Sequence, residues 1–257
     1  MSHRPRKRFG QNFLHDPIVI RKIIDAIAPQ PGDHLVEIGP GQAALTIPLL
    51  EKTERMDAIE IDRDLIPIVQ ERCAAHGDLT LHNVDALKFD FHKLHTDERP
   101  LRVVGNLPYN ISTPILFHLL ESREVIADMH FMLQKEVVER MAAGPGSKIY
   151  GRLSVMLQAW CEVTRLFDIG PGAFNPPPKV DSSIVRLVPR PDADVGIVDP
   201  VRFANLVRLA FAQRRKTLRN NLKTLMDATQ IEALGIDPGA RPETLSVEDF
   251  KRLASAS

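Results

Sequence analysis

The strongest constraint on the fold is an alternation of short apolar runs with longer segments in the first half of the chain. Most of these runs end in Gly, Asp or Asn, and they are His34–Gly39, Asp57–Asp62, Leu79–Asp85, Leu101–Asn106 and Met129–Leu133. Because the intervening segments are long enough for helices, the pattern predicts an α/β fold, a parallel sheet covered on both faces. The polar residues that close the runs should meet on one rim, where such sheets bind ligands.

Two further elements flank this alternation. Apolar residues recur at helical spacing from Ile18 to Ala28, with Asp16 placed as an N-cap and Pro17 at the first helical position, which predicts an opening helix. Residues Ser182 to Val188 alternate in polarity and are rich in β-branched side chains. We expect them to form a late, antiparallel strand at the end of the sheet.

The periodicity breaks at Pro189–Asp194, and helical spacing of apolar residues follows, for example at Phe211, Leu218 and Leu222. We therefore predict two domains, a Rossmann-like domain over residues 1–190, including a basic N-terminal segment, and a helical domain over residues 191–257. The chain of 257 residues is long enough for this division.

Composition limits the protein class. No apolar run is long enough to span a membrane, and no signal-peptide core follows the first residues, so we expect a cytoplasmic protein with no membrane partner. Cys73 and Cys161 are far apart and should be buried and inert. His92 and His95 lack further ligands nearby, so we predict no metal site.

Charge is balanced overall, with 33 basic and 33 acidic residues, but it is unevenly distributed. Arg4, Arg6, Lys7 and Arg8 open the chain. A second set of basic residues lies in a stretch near the end of the chain that contains no acidic residue. Its members are Arg202, Arg208, Arg214, Arg215, Lys216, Arg219 and Lys223. Four of these, Arg208, Arg215, Arg219 and Lys223, have helical spacing, which predicts one basic stripe. The stripe is either a solvated face or a phosphate-binding surface.

A cofactor site is predicted where the first strand of the alternation ends. Residues 37–44 read Glu-Ile-Gly-Pro-Gly-Gln-Ala-Ala, and Gly39 would let the backbone approach a ligand closely. With Glu60 about 20 residues further on to hold ribose hydroxyls, this also fits the looser dinucleotide pattern, so an NAD-dependent dehydrogenase is an alternative. Asp85 closes the third strand and suits an adenine amine. Each residue has a plainer interpretation, as a turn or a helix cap.

The segment Asn106-Leu107-Pro108-Tyr109 closes the fourth strand and is the candidate catalytic segment. The N6 amine of adenine is a poor nucleophile, because its lone pair is delocalised into the ring. The Asn106 side-chain oxygen and the Leu107 carbonyl can each accept one amine hydrogen, which directs the lone pair at a methyl donor. Tyr109 would stack on the base. The alternative is a simple turn between strand and helix.

A second wall for a target base is predicted at Phe174-Asn175-Pro176-Pro177-Pro178-Lys179. Consecutive prolines hold an extended backbone, which would fix the direction of Phe174. A base extruded from RNA would then lie between aromatic faces. The equal alternative is a rigid connector with Phe174 in the core.

Five segments together resemble the ribosomal RNA adenine N6,N6-dimethyltransferases, most closely their small-subunit (16S) branch. The segments are Lys7–Leu14, Glu37–Thr46, Asn106–Asn110, Phe174–Ser182 and Gln213–Lys216. The resemblance implies a Rossmann-like S-adenosylmethionine-dependent methyltransferase. Its expected reaction is dimethylation of two adjacent adenines in the 3′-terminal hairpin loop of 16S rRNA, in the assembling small ribosomal subunit, by a monomer.

The resemblance also implies residue roles. Asn12 and Leu14 would contact the cofactor, Gly39 its methionine part, Glu60 its ribose and Asp85 its adenine, while Asn106 would border both cofactor and substrate. The family's catalytic motif matches Asn106 to Tyr109, and its base-stacking phenylalanine matches Phe174. The helical domain would engage ribosomal RNA. Gln42-Ala43-Ala44 departs from the glycine of many relatives. Enzymes of large-subunit RNA and a non-catalytic assembly factor are the remaining alternatives.

Overall fold

The computed structural model describes residues 11–108 and 111–256. The chain forms two compact units, one of Met1–Val138 with Thr164–Pro189 and the other of Glu139–Val163 with Arg190–Ser257. The described strands are β1 (Phe13–Leu14), β2 (His34–Ile38), β3 (Arg55–Ile59), β4 (Asp78–His82), β5 (Leu101–Asn106), β6 (Ile126–Gln134), β7 (Cys161–Ile169), β8 (Phe174–Asn175) and β9 (Ser182–Pro189).

The described α-helices range from four to eleven residues. They are α1 (Pro17–Ile27), α2 (Thr46–Thr53), α3 (Ile66–Cys73), α4 (Ser112–Leu120), α5 (Lys135–Ala142), α6 (Arg152–Gln158), α7 (Asp192–Val195), α8 (Pro200–Ala210), α9 (Leu218–Asn221), α10 (Ala228–Ala233) and α11 (Val247–Ala256). Among these helices, none is long and apolar enough to cross a membrane.

Seven strands form one sheet in the order β4-β3-β2-β5-β6-β9-β7. Strands β2 to β6 are parallel to their neighbours, and β9 is antiparallel to β6. The predicted α/β sheet is therefore confirmed, with a strand at each of the five apolar runs. The predicted edge position of β9 is wrong, because β7 lies beyond it. Strand β7 escaped prediction because half-exposed charged residues, such as Arg165 and Asp168, interrupt its apolar positions.

Helix α1 begins as predicted. The Asp16 carboxylate accepts hydrogen bonds from the backbone N–H groups of Ile18 and Val19, and Pro17 occupies the first turn. Ile23, Ile24 and Ile27 are buried against the sheet core, where full burial of one such side chain contributes about 1.5–3 kcal/mol.

Arg102 on β5 fixes the end of α1 to the sheet. Its Nη2 donates to the carbonyl of Ile27 at 2.6 Å, and its guanidinium forms two hydrogen bonds with the buried Asp128 carboxylate at 2.9 and 3.0 Å. Asp33 completes this ion-pair cluster. The cluster orders the first unit at the end of β5 opposite to Asn106.

The second unit packs around aromatic side chains. Helices α6, α8 and α11 contact one another, and Phe211 stacks on Phe250 with ring centroids 5.6 Å apart. The structure therefore assigns residues 139–163, which the predicted division at residue 190 had left in the first domain, to the second unit. The physical reason is the burial of Tyr150 and of most of α6 among the C-terminal helices.

The predicted continuous basic stripe is wrong. Helix α8 ends at Ala210 and α9 begins at Leu218, so residues 211–217 form a turn. The Asn221 side chain donates to the carbonyls of Ala210 at 2.7 Å and Gln213 at 3.2 Å, which stabilises the turn in place of helical hydrogen bonds. All seven basic residues of the set are nevertheless exposed.

Candidate active site

A cavity opens at the carboxyl ends of β2, β3 and β5, as the topology requires. It lies within the first unit. Seven of the predicted site residues line it: Asn12, Leu14, Gly39, Glu60, Asp85, Asn106 and Phe174. Tyr109 lies outside the described residues, as do the basic residues Arg4 to Arg8. Residues that are up to 162 positions apart in sequence, from Asn12 to Phe174, thus meet in one place.

The loop after β2 forms the floor of the cavity. Gly39 has φ of 74°, a left-handed conformation that side chains other than glycine rarely adopt, and its N–H donates to the carbonyl of Ile59 at 2.9 Å. Helix α2 does not begin until Thr46, so residues 39–45 run along the cavity as an irregular backbone. This path brings backbone groups close to any ligand in the cavity.

Glu60 holds this loop in place from the end of β3. One of its carboxylate oxygens accepts from the N–H of Asp62 at 2.8 Å, and the other from the N–H of Gly41 at 3.4 Å. Burial raises the pKa of Glu60. Because each oxygen has two acceptor positions, these bonds leave capacity for ligand hydroxyl groups. Glu60 therefore combines a structural role with a place in the cavity wall.

Asp85 combines two roles in the same way. Its Oδ1 accepts from the N–H of Leu87 at 3.1 Å and so caps the short 3₁₀ turn over residues 86–88. The plainer interpretation, a cap, therefore holds, and Asp85 lines the cavity as well. One carboxylate oxygen is engaged by the turn, so the second is the acceptor suited to a ligand amine.

Asn106, the last residue of β5, is held with a defined orientation. Its Nδ2 donates to the backbone carbonyl of Asn12 at 3.1 Å. In an amide side chain only the nitrogen can donate a hydrogen bond to a carbonyl. This bond therefore fixes which end of the Asn106 amide is the nitrogen, and it directs the acceptor oxygen, Oδ1, away from Asn12. The following residue, Leu107, donates its N–H to the carbonyl of Met132 at 3.2 Å, which anchors the segment to β6.

Gly105 allows β5 to pack closely at this point. A Cβ atom at Gly105 would lie 2.5 Å from the carbonyl oxygen of Ile38 on β2, closer than atoms can approach. The absence of a side chain therefore sets the distance between the strand that carries Asn106 and the strand that leads into Gly39.

Phe174 is connected to the N-terminal cofactor segment by a two-stranded ladder. Strand β8 pairs antiparallel with β1, placing Leu14 opposite Phe174, and the N–H of His15 donates to the carbonyl of Ala173 at 3.0 Å. Phe174 is only 4% exposed and belongs to the core cluster, yet it lines the cavity. Phe174 is therefore a core residue that also lines the cavity, and its role as a wall for a target base stays a prediction.

Two cavity residues were missed as site residues. Glu37 on β2 is 2% exposed, and burial raises its pKa to about 7. Its Oε2 has no hydrogen-bond partner within residues 11–108 and 111–256. A carboxylate within a buried strand is costly, and that cost was the available signal. Ile61 follows Glu60, is 49% exposed and lines the cavity.

Cys73, Cys161 and His92 lie outside the cavity lining. Cys73 and Cys161 are buried, and burial raises the pKa of Cys73 to about 11, which disfavours the reactive thiolate. His92 contacts Asp90 and Glu124. Within the described part of the chain, no three His, Cys, Asp or Glu residues are arranged to hold a metal ion.

Solved structures similar to this chain include a dimethyladenosine transferase and an rRNA methyltransferase. A dimethyladenosine transferase from Plasmodium falciparum superimposes with a TM-score of 0.82 at 29% identity, covering 94% of this chain and 95% of that one. The 23S rRNA methyltransferase ErmE gives a TM-score of 0.74 at 26% identity, covering 95% of this chain and 99% of that one.

Sequence comparison gives higher identity. The ribosomal RNA small subunit methyltransferase A of Pseudomonas putida is 58% identical over 253 residues, which are 98% of this chain and 95% of the relative. The family described as ribosomal RNA adenine dimethylase matches residues 2–256. With nearly the whole chain matched and the predicted residues gathered at one rim, this protein belongs to the ribosomal RNA adenine dimethylase family.

Proposed function

We propose that this protein transfers methyl groups from S-adenosylmethionine to the N6 amines of two adjacent adenines in the 3′-terminal hairpin loop of 16S rRNA. It acts as a monomer on the assembling small ribosomal subunit in the cytoplasm. The observation that carries the proposal is the orientation of Asn106, whose amide nitrogen is engaged by Asn12 so that its oxygen serves as an acceptor at the cavity.

The residues of the cavity fit S-adenosylmethionine. The unpartnered Oε2 of Glu37 suits the ammonium group of the methionine part, Glu60 suits the ribose hydroxyls, and Asp85 suits the adenine amine. Ile61 offers an apolar surface to the adenine ring. Asn12, Leu14 and Gly39 would border the same molecule. When bound, S-adenosylmethionine supplies an electrophilic methyl group on a sulfonium.

The catalytic residues act on the target amine. The Asn106 Oδ1 and the Leu107 carbonyl accept its two hydrogens, which draws the nitrogen lone pair out of conjugation with the ring. Phe174 and Tyr109 hold the base by stacking, and this positioning lowers the entropy cost of reaction. A neutral amide suffices, because the methylated amine is acidic enough to lose its proton without a strong base.

Identity with relatives supports the small subunit as the target. The small-subunit methyltransferase of P. putida is 58% identical, whereas the 23S rRNA methyltransferase ErmE is 26% identical. Membership of an adenine dimethylase family argues against the dehydrogenase alternative. Calorimetry tests that alternative directly, since a dehydrogenase would bind NAD and not S-adenosylmethionine.

The RNA-engaging surface is proposed on the helical domain, residues 191–257. Its exposed basic residues include Arg214, Arg215 and Lys216 on the turn that Asn221 stabilises. A turn presents these side chains in more than one direction, which suits a phosphate backbone that curves around a hairpin. Phosphate contacts position the enzyme, and base recognition falls to the cavity.

Methyl transfer to unmethylated small subunits, with labelled S-adenosylmethionine, tests the proposal. We expect Asn106→Ala to lose about 100-fold or more in rate, in line with the loss of one preorganised polar group at a reacting centre, while subunit binding survives. Gln30→Ala removes an exposed amide that donates to the carbonyl of Ala28 at the end of α1, and it serves as the matched control. Normal methylation by Asn106→Ala would refute the assignment of that residue.

A further inference from the structure

We propose that Lys135 is a positioning residue for the target base. Its ammonium group bridges the two carboxylates that flank residues 169–180, here called the wall segment, which carry Phe174 and the three consecutive prolines. The inference rests on the proposed role of Phe174 as a base-stacking wall. It assigns a function to a lysine that lies outside the cavity lining.

Lys135 contacts the residues on both sides of the wall segment. Its Nζ lies 3.0 Å from Oδ2 of Asp168, which precedes the segment, and 4.0 Å from Oδ2 of Asp181, which follows it. Its backbone N–H donates to the carbonyl of Asp181 at 3.0 Å. One ammonium group therefore links two residues that are separated by the whole wall segment.

The wall segment is buried near Phe174 and exposed over most of its remaining length. Ile169, Ala173 and Phe174 are buried, whereas Asn175, Pro176, Pro177 and residues beyond them are largely exposed. An exposed segment of this kind opens locally at low free-energy cost unless its ends are held. The β1–β8 ladder holds Phe174 from one side, and the neighbouring strands β7 and β9 hold the two ends in the sheet. The Lys135 ammonium adds a side-chain link between Asp168 and Asp181 at those ends.

Arg165 provides an internal comparison for Lys135. It also contacts Asp168, through two hydrogen bonds from Nη2 and one from Nε, and together these cations hold the pKa of Asp168 below its usual range. Arg165 and Asp168 are three residues apart on β7, so their ion pair spans none of the wall segment. Loss of Arg165 removes a cation from Asp168 without separating the segment's ends.

The ion pairs of Lys135 affect the orientation of the wall segment more than they affect the stability of the fold. Asp168 and Asp181 side chains are 32% and 50% exposed, and ion pairs of this exposure add little to global stability. A displaced stacking wall, by contrast, lowers the rate of a reaction that depends on near-attack geometry. The second methylation of each adenine should be the more sensitive step, because the monomethylated amine must be rotated and held again.

The test compares Lys135→Met with Arg165→Met on unmethylated small subunits. We expect Lys135→Met to lower kcat roughly 10-fold and to raise the share of monomethyladenosine, with an unchanged KM for S-adenosylmethionine and an unchanged Tm. Arg165→Met should stay within about twofold of the wild type, and Lys135→Arg should restore the dimethyl product. Asp181→Asn, which removes the other partner, should reproduce the defect even if Lys135→Met fails to fold.

Equal kcat and product ratios for Lys135→Met and Arg165→Met would overturn the inference, as would a defect that Lys135→Arg does not relieve. The proposed function fails in a different way, since the wild-type protein would then leave the small subunit unmethylated. The backbone bond from Lys135 to Asp181 persists in every variant, so the comparison isolates the ammonium group.

Discussion

Glu37 provides the most quantitative prediction. The carboxyl is buried on β2, and burial, with a smaller contribution from the charge of Glu60, raises its pKa from 4.5 to about 7. A folded-state pKa above the unfolded value means that the folded protein binds the proton more tightly. The stability from this proton is fully present below pH 4.5 and is lost as the pH rises through 7.

The magnitude follows from the shift. One pKa unit corresponds to about 1.4 kcal/mol, so ionised Glu37 costs the folded state about 3 kcal/mol at high pH. Between pH 5.5 and pH 8 the change is about 2 kcal/mol. Glu37→Gln keeps the shape of the side chain and removes the titration. The stability of this variant relative to the wild type should therefore rise by about 2 kcal/mol over that interval.

Urea unfolding of both proteins at pH 5.5 and pH 8, followed by circular dichroism, measures this difference. Glu71→Gln on the exposed face of α3 is the control and should show no such trend. Calorimetry should also show that wild-type affinity for S-adenosylmethionine increases through pH 7 as Glu37 ionises, while the Glu37→Gln affinity stays flat. If the free energies of unfolding of wild type and Glu37→Gln change in parallel with pH, the raised pKa of the buried Glu37 carboxyl is refuted.

Three further predictions concern the framework and the RNA surface. Arg102→Met removes the hydrogen-bonded partner of the buried Asp128 carboxylate and leaves it the more distant Arg186, at 3.6 Å. We expect it to lower the free energy of unfolding by about 3 kcal/mol, measured by urea titration. Gly105→Ala forces β5 away from the Ile38 carbonyl and should reduce methylation more than 10-fold, while retained subunit binding excludes general unfolding. Alanine at residues 214–216 should make the slope of log binding constant against log salt concentration, measured for subunit binding, shallower by roughly two. An unchanged slope would exclude phosphate contact there.

Much of the first unit was predictable because local signals and the global fold agree. Each apolar run became a strand, and Glu60, Asp85 and Asn106 meet where parallel strands end. Asp16 and Pro17 likewise defined the start of α1. These features follow from patterns of residues close to one another in sequence. A single sequence, taken without an alignment, is therefore enough to predict them.

The remaining features depend on contacts between distant residues. Strand β1 has two residues, and its partner β8 begins at Phe174, so Asn12 and Leu14 entered the site only through resemblance to the family. The turn after α8 depends on Asn221, which lies beyond the residues it organises. Glu37 was present in the predicted loop motif, but the lack of a hydrogen-bond partner for its Oε2 among the described residues is a property of the packed structure.

Mapping dimethyladenosine in 16S and 23S rRNA tests the central claim most directly. Ribosomal particles that lack the modification are incubated with the protein and S-adenosylmethionine, and the modified positions are then located by primer extension and mass spectrometry. We predict dimethylation of two adjacent adenines in the 3′-terminal hairpin loop of 16S rRNA and none in 23S rRNA. Dimethyladenosine in 23S rRNA, or in neither RNA while the cofactor is bound, would contradict the account.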